Sequence, residues 1–205
     1  MFTIKAFAAT ALVAALAAPA WATNVALTTS AAGAGYGQWN TFNVNDLDAQ
    51  DFGVGWIDNA DSLSAGFGSP LSFSFTIATG TIGTFTVIDA AFAGDTFLVT
   101  NSGNLLGATS SVPVASYDDN IPGVGLDFSA ALADTSFSRG VFQLGAGNYN
   151  ITGVLAQSVL FDGTPLNATV GAVSLTVSAV PEPSSMALML AGAGLMGTMV
   201  RRKRR

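Results

Sequence analysis

Asp89 and Asp95 flank Phe92 and Gly94. Two carboxylates held close together can serve as the acid and the base of glycoside hydrolysis. Both sit where strands are expected to end, so turn and hydrogen-bonding roles are the stronger expectation. The densest acidic patch is Asp118-Asp119-Asn120 with Asp127. Loop oxygens of this kind suit calcium, which takes roughly six to eight of them. Asp58-Asn59-Ala60-Asp61, with Asp46, Asp48 and Asp51 nearby, forms a second such patch. Neither has EF-hand spacing or a bidentate glutamate. Aspartates that cap turns and keep a surface soluble account for both, so no cofactor is expected unless calcium binds there. The chain has no histidine and no cysteine. It therefore lacks the commonest general base and the commonest zinc ligands, and its core must hold without disulfides.

Charge and aromatics point the same way. The segment 23–179 holds 12 aspartates against one cation, Arg139, a net charge of −11, whereas the whole chain sums to −6. Such a domain repels nucleic acid and anionic lipid. Arg139 is expected to pair with an aspartate. Tyr36, Trp39 and Trp56 lie in a Gly-rich stretch. Rim aromatics could stack on sugar rings, but core packing is the stronger expectation for side chains with so much apolar area. Asn150 and Asn167 begin Asn-x-Thr sequons, to which little weight is given.

The elements that must position these residues read as strands. Gly, Ala, Ser, Thr, Val and Phe dominate, and Lys and Glu are scarce. Leu71-Ser-Phe-Ser-Phe-Thr-Ile77 alternates with period two, so Phe73, Phe75 and Ile77 share a face. Ile82 to Ile88 alternates likewise through Phe85 and Val87, with a turn near Gly80 between the two. Phe97–Thr100 and Leu105–Thr109 read as a hairpin closed at Asn101–Asn104, and Gly140–Leu144 with Tyr149–Leu155 as another. Thr169–Ser178 is a last strand, and Ala130–Thr135 a brief helical turn. Short strands separated by turn signals predict a mainly β ectodomain, an antiparallel, jelly-roll-like β-sandwich over residues 23–179.

The two ends address the protein. Lys5, an apolar run from Ala6 to Ala18 and then Ala20-Trp21-Ala22 have the three parts of a secretory signal peptide. A signal peptide over 1–22 would be used by the Sec translocon and cut by signal peptidase after Ala22, with Ala20 and Ala22 as the small residues before the cut. At the other end, Pro181-Glu182-Pro183 precedes the uncharged apolar stretch 184–200 and the basic cluster Arg201, Arg202, Lys203, Arg204, Arg205. At about 1.5 Å per residue, a helix over 184–200 spans roughly 25 Å, enough for a single transmembrane helix in a thin membrane. The basic cluster sets the C-terminus inside and the domain outside. Proline fixes its own φ and biases its predecessor toward extended backbone, so Glu182 is held in a stiff link.

Pro-Glu-Pro, a short apolar helix and an Arg-rich end, in that order, resemble the PEP-CTERM sorting signal of Gram-negative bacteria. The resemblance covers residues 180–205. It implies recognition of Pro181, Glu182 and Pro183 by a membrane-embedded exosortase, transient anchoring in the inner membrane, and delivery to the cell surface or beyond. Such proteins accompany exopolysaccharide and biofilm formation. Asp89 to Phe97, Asn101 to Gly107 and Ser138 to Ile151 are also similar to a β-rich ectodomain of some PEP-CTERM proteins, which implies architecture and no reaction. The expectation is a non-enzymatic surface or matrix protein, structural or adhesive among exopolysaccharide. Its alternatives are a carbohydrate- or calcium-binding module and an Asp-dependent hydrolase.

Overall fold

The computed structural model describes residues 22–28, 30–31, 38–50, 53–58, 66–118, 120–180, 188–189 and 191. In chain order the strands are β1 (Thr23–Ala26), β2 (Ser30–Ala31), β3 (Asn40–Asn45), β4 (Leu71–Ile77) and β5 (Thr81–Asp89). There follow β6 (Ala91–Phe92), β7 (Thr96–Asn101), β8 (Asn104–Ala108) and β9 (Gly123–Gly125). After helix α1 (Phe128–Ala133) come β10 (Arg139–Leu144), β11 (Gly147–Gln157), β12 (Leu160–Phe161), β13 (Thr164–Pro165) and β14 (Ala168–Ala179).

Alternation builds the two main sheets. In β4, Leu71, Phe73, Phe75 and Ile77 are buried while Ser72, Ser74 and Thr76 face outward. One sheet runs β1-β4-β11-β7-β8, and the other runs β10-β5-β14 with β2 and β3 both along the far side of β14. Their inner faces share a single cluster, with Phe73, Phe97 and Ile151 from the first meeting Phe42, Phe85 and Leu175 from the second. Trp56 sits in that cluster, fully buried and stacked on Phe42 at 4.0 Å between centroids. A smaller cluster lies under α1, where Ile88, Ala131, Leu132 and Phe137 pack together and Trp39 leans on Phe128. That is why the end of β5 is buried on both faces.

Two expectations need correction. Phe97–Thr100 and Leu105–Thr109 do form a hairpin, β7–β8. Strands β10 and β11 do not: β10 pairs with β5, and β11 lies between β4 and β7 in the other sheet. The intervening turn hands the chain across the sandwich, as the turn near Gly80 does between β4 and β5. Turn residues report that the chain reverses and not which sheet it joins. The sheets are also not wholly antiparallel, since β1 runs parallel to β4 and β2 parallel to β14. Parallel neighbours need a long crossover, and the chain between β1 and β4 supplies one by passing through β2 and β3 in the opposite sheet.

No helix among the described residues is long and apolar enough to cross a membrane. The span expected over 184–200 lies outside the described residues except for Leu188, Met189 and Ala191, which are helical.

Candidate functional site

Strand β5 ends on Asp89, the chain makes the short excursion of β6, and Asp95 leads it into β7. The structure brings these two aspartates together. The Asp95 amide donates to Asp89 Oδ2 at 3.3 Å, and the Val159 amide donates to Asp95 Oδ1 at 2.8 Å. The Thr169 side chain also hydrogen-bonds to Asp95. The node thus ties β5, β7, β14 and the segment before β12. It is closed to solvent: Asp89 is 0% and Asp95 2% exposed, and Asp89 Oδ1 is buried without a hydrogen-bond partner. Burial, and then the neighbouring charge of Asp95, push the Asp89 carboxyl up to about 9. Burial raises Asp95 too, against the hydrogen bonds from Thr169 and Val159. Asp89 is therefore protonated at neutral pH. A pair without access to solvent is placed to fasten strands and not to meet a substrate.

Above this node is a cleft of about 460 Å3, lined by Asn43, Phe92, Tyr117, Phe161 and Val170 among others. Small elements outside the main sheets carry its rings. Ala91 has φ +58°, a left-handed conformation costly for a residue with a Cβ. The β6–β9 pairing shifts register between Ala91 and Phe92, and Phe92 is left 38% exposed. Asp162 and Gly163 both have positive φ, the geometry of a two-residue hairpin turn, and join β12 to β13. That hairpin presents Phe161, 49% exposed. Tyr117, 44% exposed, is held by its amide on the Leu160 carbonyl at 2.7 Å. Phe92 and Tyr117 meet edge to face at 4.9 Å, and Tyr117 and Phe161 lie 6.1 Å apart.

Four described aspartates of the acidic patches are hydrogen-bonded within the fold. Asp118 Oδ1 accepts from the Asn120 amide, and Asp127 caps α1 by accepting from the Ala130 amide. Asp48 accepts from Asn45, and Asp46 from Asn167. Asp58 lines a small hollow with Trp39. Among the described residues, no three His, Cys, Asp or Glu side chains converge on a metal-sized site. Arg139 donates to the Leu132 carbonyl at the end of α1, where the expectation was an aspartate partner. A carbonyl at a helix end attracts a cation without a carboxylate. Asn150 is exposed on β11. Ala20, Tyr36, Asp51, Asn59, Asp61, Asp119, Pro181, Glu182, Pro183 and Arg201 to Arg205 lie outside the described residues.

Sequence reasoning missed the cleft. Phe92 and Phe161 sit on two-residue strands and Tyr117 in a loop, so no periodicity marks them. The one available signal was Asp162-Gly163, a hairpin turn beside Phe161.

Residues 179–205 match the family model of the PEP-CTERM protein-sorting motif. That motif is the exosortase-recognition signal, and it implies export to the cell envelope or surface and processing by an exosortase. No curated protein matches the chain. Among solved structures, the chain is similar to the pre-peptidase C-terminal domain of a collagenase from Bacillus anthracis. The two share 11% identity with a TM-score of 0.32, over 78% of this chain and 98% of that one.

Proposed function

We propose that this chain, addressed by an exosortase-recognition signal at residues 179–205, is a non-enzymatic protein of the cell surface or extracellular matrix. Its role is structural or adhesive among exopolysaccharide. The signal peptide over 1–22 is removed after Ala22. The segment 184–200 holds the protein in the inner membrane with Arg201 to Arg205 on the cytoplasmic side, until the exosortase acts at Pro181-Glu182-Pro183.

The observation that carries this reading is the join between domain and tail. Strand β14 ends at Ala179, and the Val180 amide donates to the Gly80 carbonyl at 2.8 Å. Among the described residues, the buried apolar core runs from Leu27 to Leu175. A cut at the tripeptide therefore removes no core residue. The other end supports the same reading, since β1 begins at Thr23, directly after the expected cut. The non-enzymatic reading draws on the burial of Asp89 and Asp95, and the net −11 of the domain disfavours nucleic acid.

The test is Glu182→Ala in a host with an exosortase, read by fractionation and intact mass. Wild type is expected at the surface, shortened at its C-terminus. The variant is expected uncut in the inner membrane, because the apolar span and basic cluster remain. A variant cut and delivered like wild type reduces the tripeptide to a linker and removes the reading.

A further inference from the structure

We infer that the cleft between Phe92, Tyr117 and Phe161 binds the sugar rings of an uncharged polysaccharide. The inference deepens the surface reading and rests on it only for the presence of polysaccharide outside the cell.

Three neighbouring aromatic rings, 38 to 49% exposed, form an apolar patch of the kind that marks an interaction site. The fold bears strain to present them, in the left-handed backbone of Ala91 next to Phe92. The shape selects the ligand. The rings meet at 85° and 60° and so form the walls of a trough and not one flat surface. Its volume of about 460 Å3 is that of a small-ligand pocket. A pyranose has apolar C–H faces for such rings and a rim of hydroxyls. Asn43 and Tyr117 line the same cleft, and their side chains carry the donors and acceptors that such a rim needs. Charge narrows the class further. Asp118 follows Tyr117 and Asp162 follows Phe161, while Arg139, the lone cation of the domain, is engaged at Leu132. None of the described residues lining the cleft is Lys or Arg, and the domain's net charge of −11 repels uronic or sulfated polymers.

The experiment is affinity electrophoresis of the purified exported protein in native gels. The gels are cast with neutral glucans, mannans or galactans, or with alginate. Retardation is expected in at least one neutral polymer and not in alginate. In Tyr117→Ala/Phe161→Ala the affinity should fall by about tenfold or more, with the melting temperature kept, since both rings are about half exposed. Three results overturn the inference: no retardation in any neutral polymer, retardation that the double variant retains, or equal retardation in alginate. Self-association lost in the double variant without any retardation would make the cleft a protein interface instead. Glu182→Ala protein in detergent should be retarded like wild type, so failure of sorting and failure of binding are read separately.

Discussion

Asp89 is a carboxyl group in a place that favours its neutral form. Its ordinary value of 3.8 is raised to about 9 in the fold, by burial first and by the charge of Asp95 second. Between these values the folded chain holds a proton that the unfolded chain has released. Stability is thus fully present below pH 3.8 and is lost as pH rises toward 9. The loss is at most about 1.4 kcal/mol per pH unit for this group. Urea denaturation at pH 5, 7 and 9 should show the midpoint falling with pH. Asp89→Asn should flatten that fall, because a neutral amide still accepts the Asp95 N–H and has no proton to lose. A wild-type midpoint that stays level across the range would exclude a neutral Asp89. The sequence marked Asp89 and Asp95 as a pair at strand ends. It could not reveal their burial, because an aspartate in a turn is ordinarily solvated.

At the scale of elements, two glycines in strand interiors make room for the largest core rings. A Cβ at Gly153 on β11 would overlap the Trp56 ring, and one at Gly171 on β14 would overlap Phe42. Trp56 and Phe42 stack on each other at 18° between the sheets, so each ring has a neighbour behind it and cannot retreat. Glycine weakens a strand in general, but here it admits the ring that fills the sandwich. Gly153→Ala and Gly171→Ala should each cost about 1–3 kcal/mol by overpacking. Gly145→Ala, with open space beside it, should change stability by less than about 0.5 kcal/mol. Thermal melts of the three variants check this, and an undisturbed Gly153→Ala would mean that Trp56 packs elsewhere. Strand β4 and the first half of β5 were legible because apolar and polar residues alternate along them. The pairing of β10 and β11 was not, because it depends on which sheet edge is open when the chain turns. Trp56 bears out core packing, the stronger expectation for an aromatic of the Gly-rich stretch. The largest rings were drawn into the core, and the exposed ones came from short ribbons joined only by tertiary contact.

At the scale of the whole molecule, sorting and folding are separated along the chain, and the boundary is narrow. Strand β14 is the centre of its sheet. Gly171 to Ala179 pair with β5, Ala168 to Val173 with β3, and Thr176 and Val177 with β2. A cut a few residues before Pro181 would therefore strike the strand on which the sheet depends, while a cut at Pro181 strikes none of it. Two truncated proteins separate these cases. A chain of residues 23–180 keeps every described core residue and the Val180–Gly80 bond. Its melting temperature should equal that of the full chain in detergent. A chain of residues 23–173 loses Leu175 from the main cluster and leaves Thr81 to Thr86 of β5 and all of β2 without their partners on β14. Removing one such leucine side chain alone costs about 2–5 kcal/mol, against a total stability of roughly 5–15 kcal/mol for a domain. With the backbone pairings gone as well, this shorter chain should lack a cooperative melt. The measurement is thermal denaturation followed by far-UV circular dichroism. If 23–180 melts well below the full chain, the tail contributes to the fold and release by cleavage would weaken the domain. If it melts at the same temperature, the exosortase receives a finished domain, and the strand that leads out of the core doubles as the stem of the sorting handle.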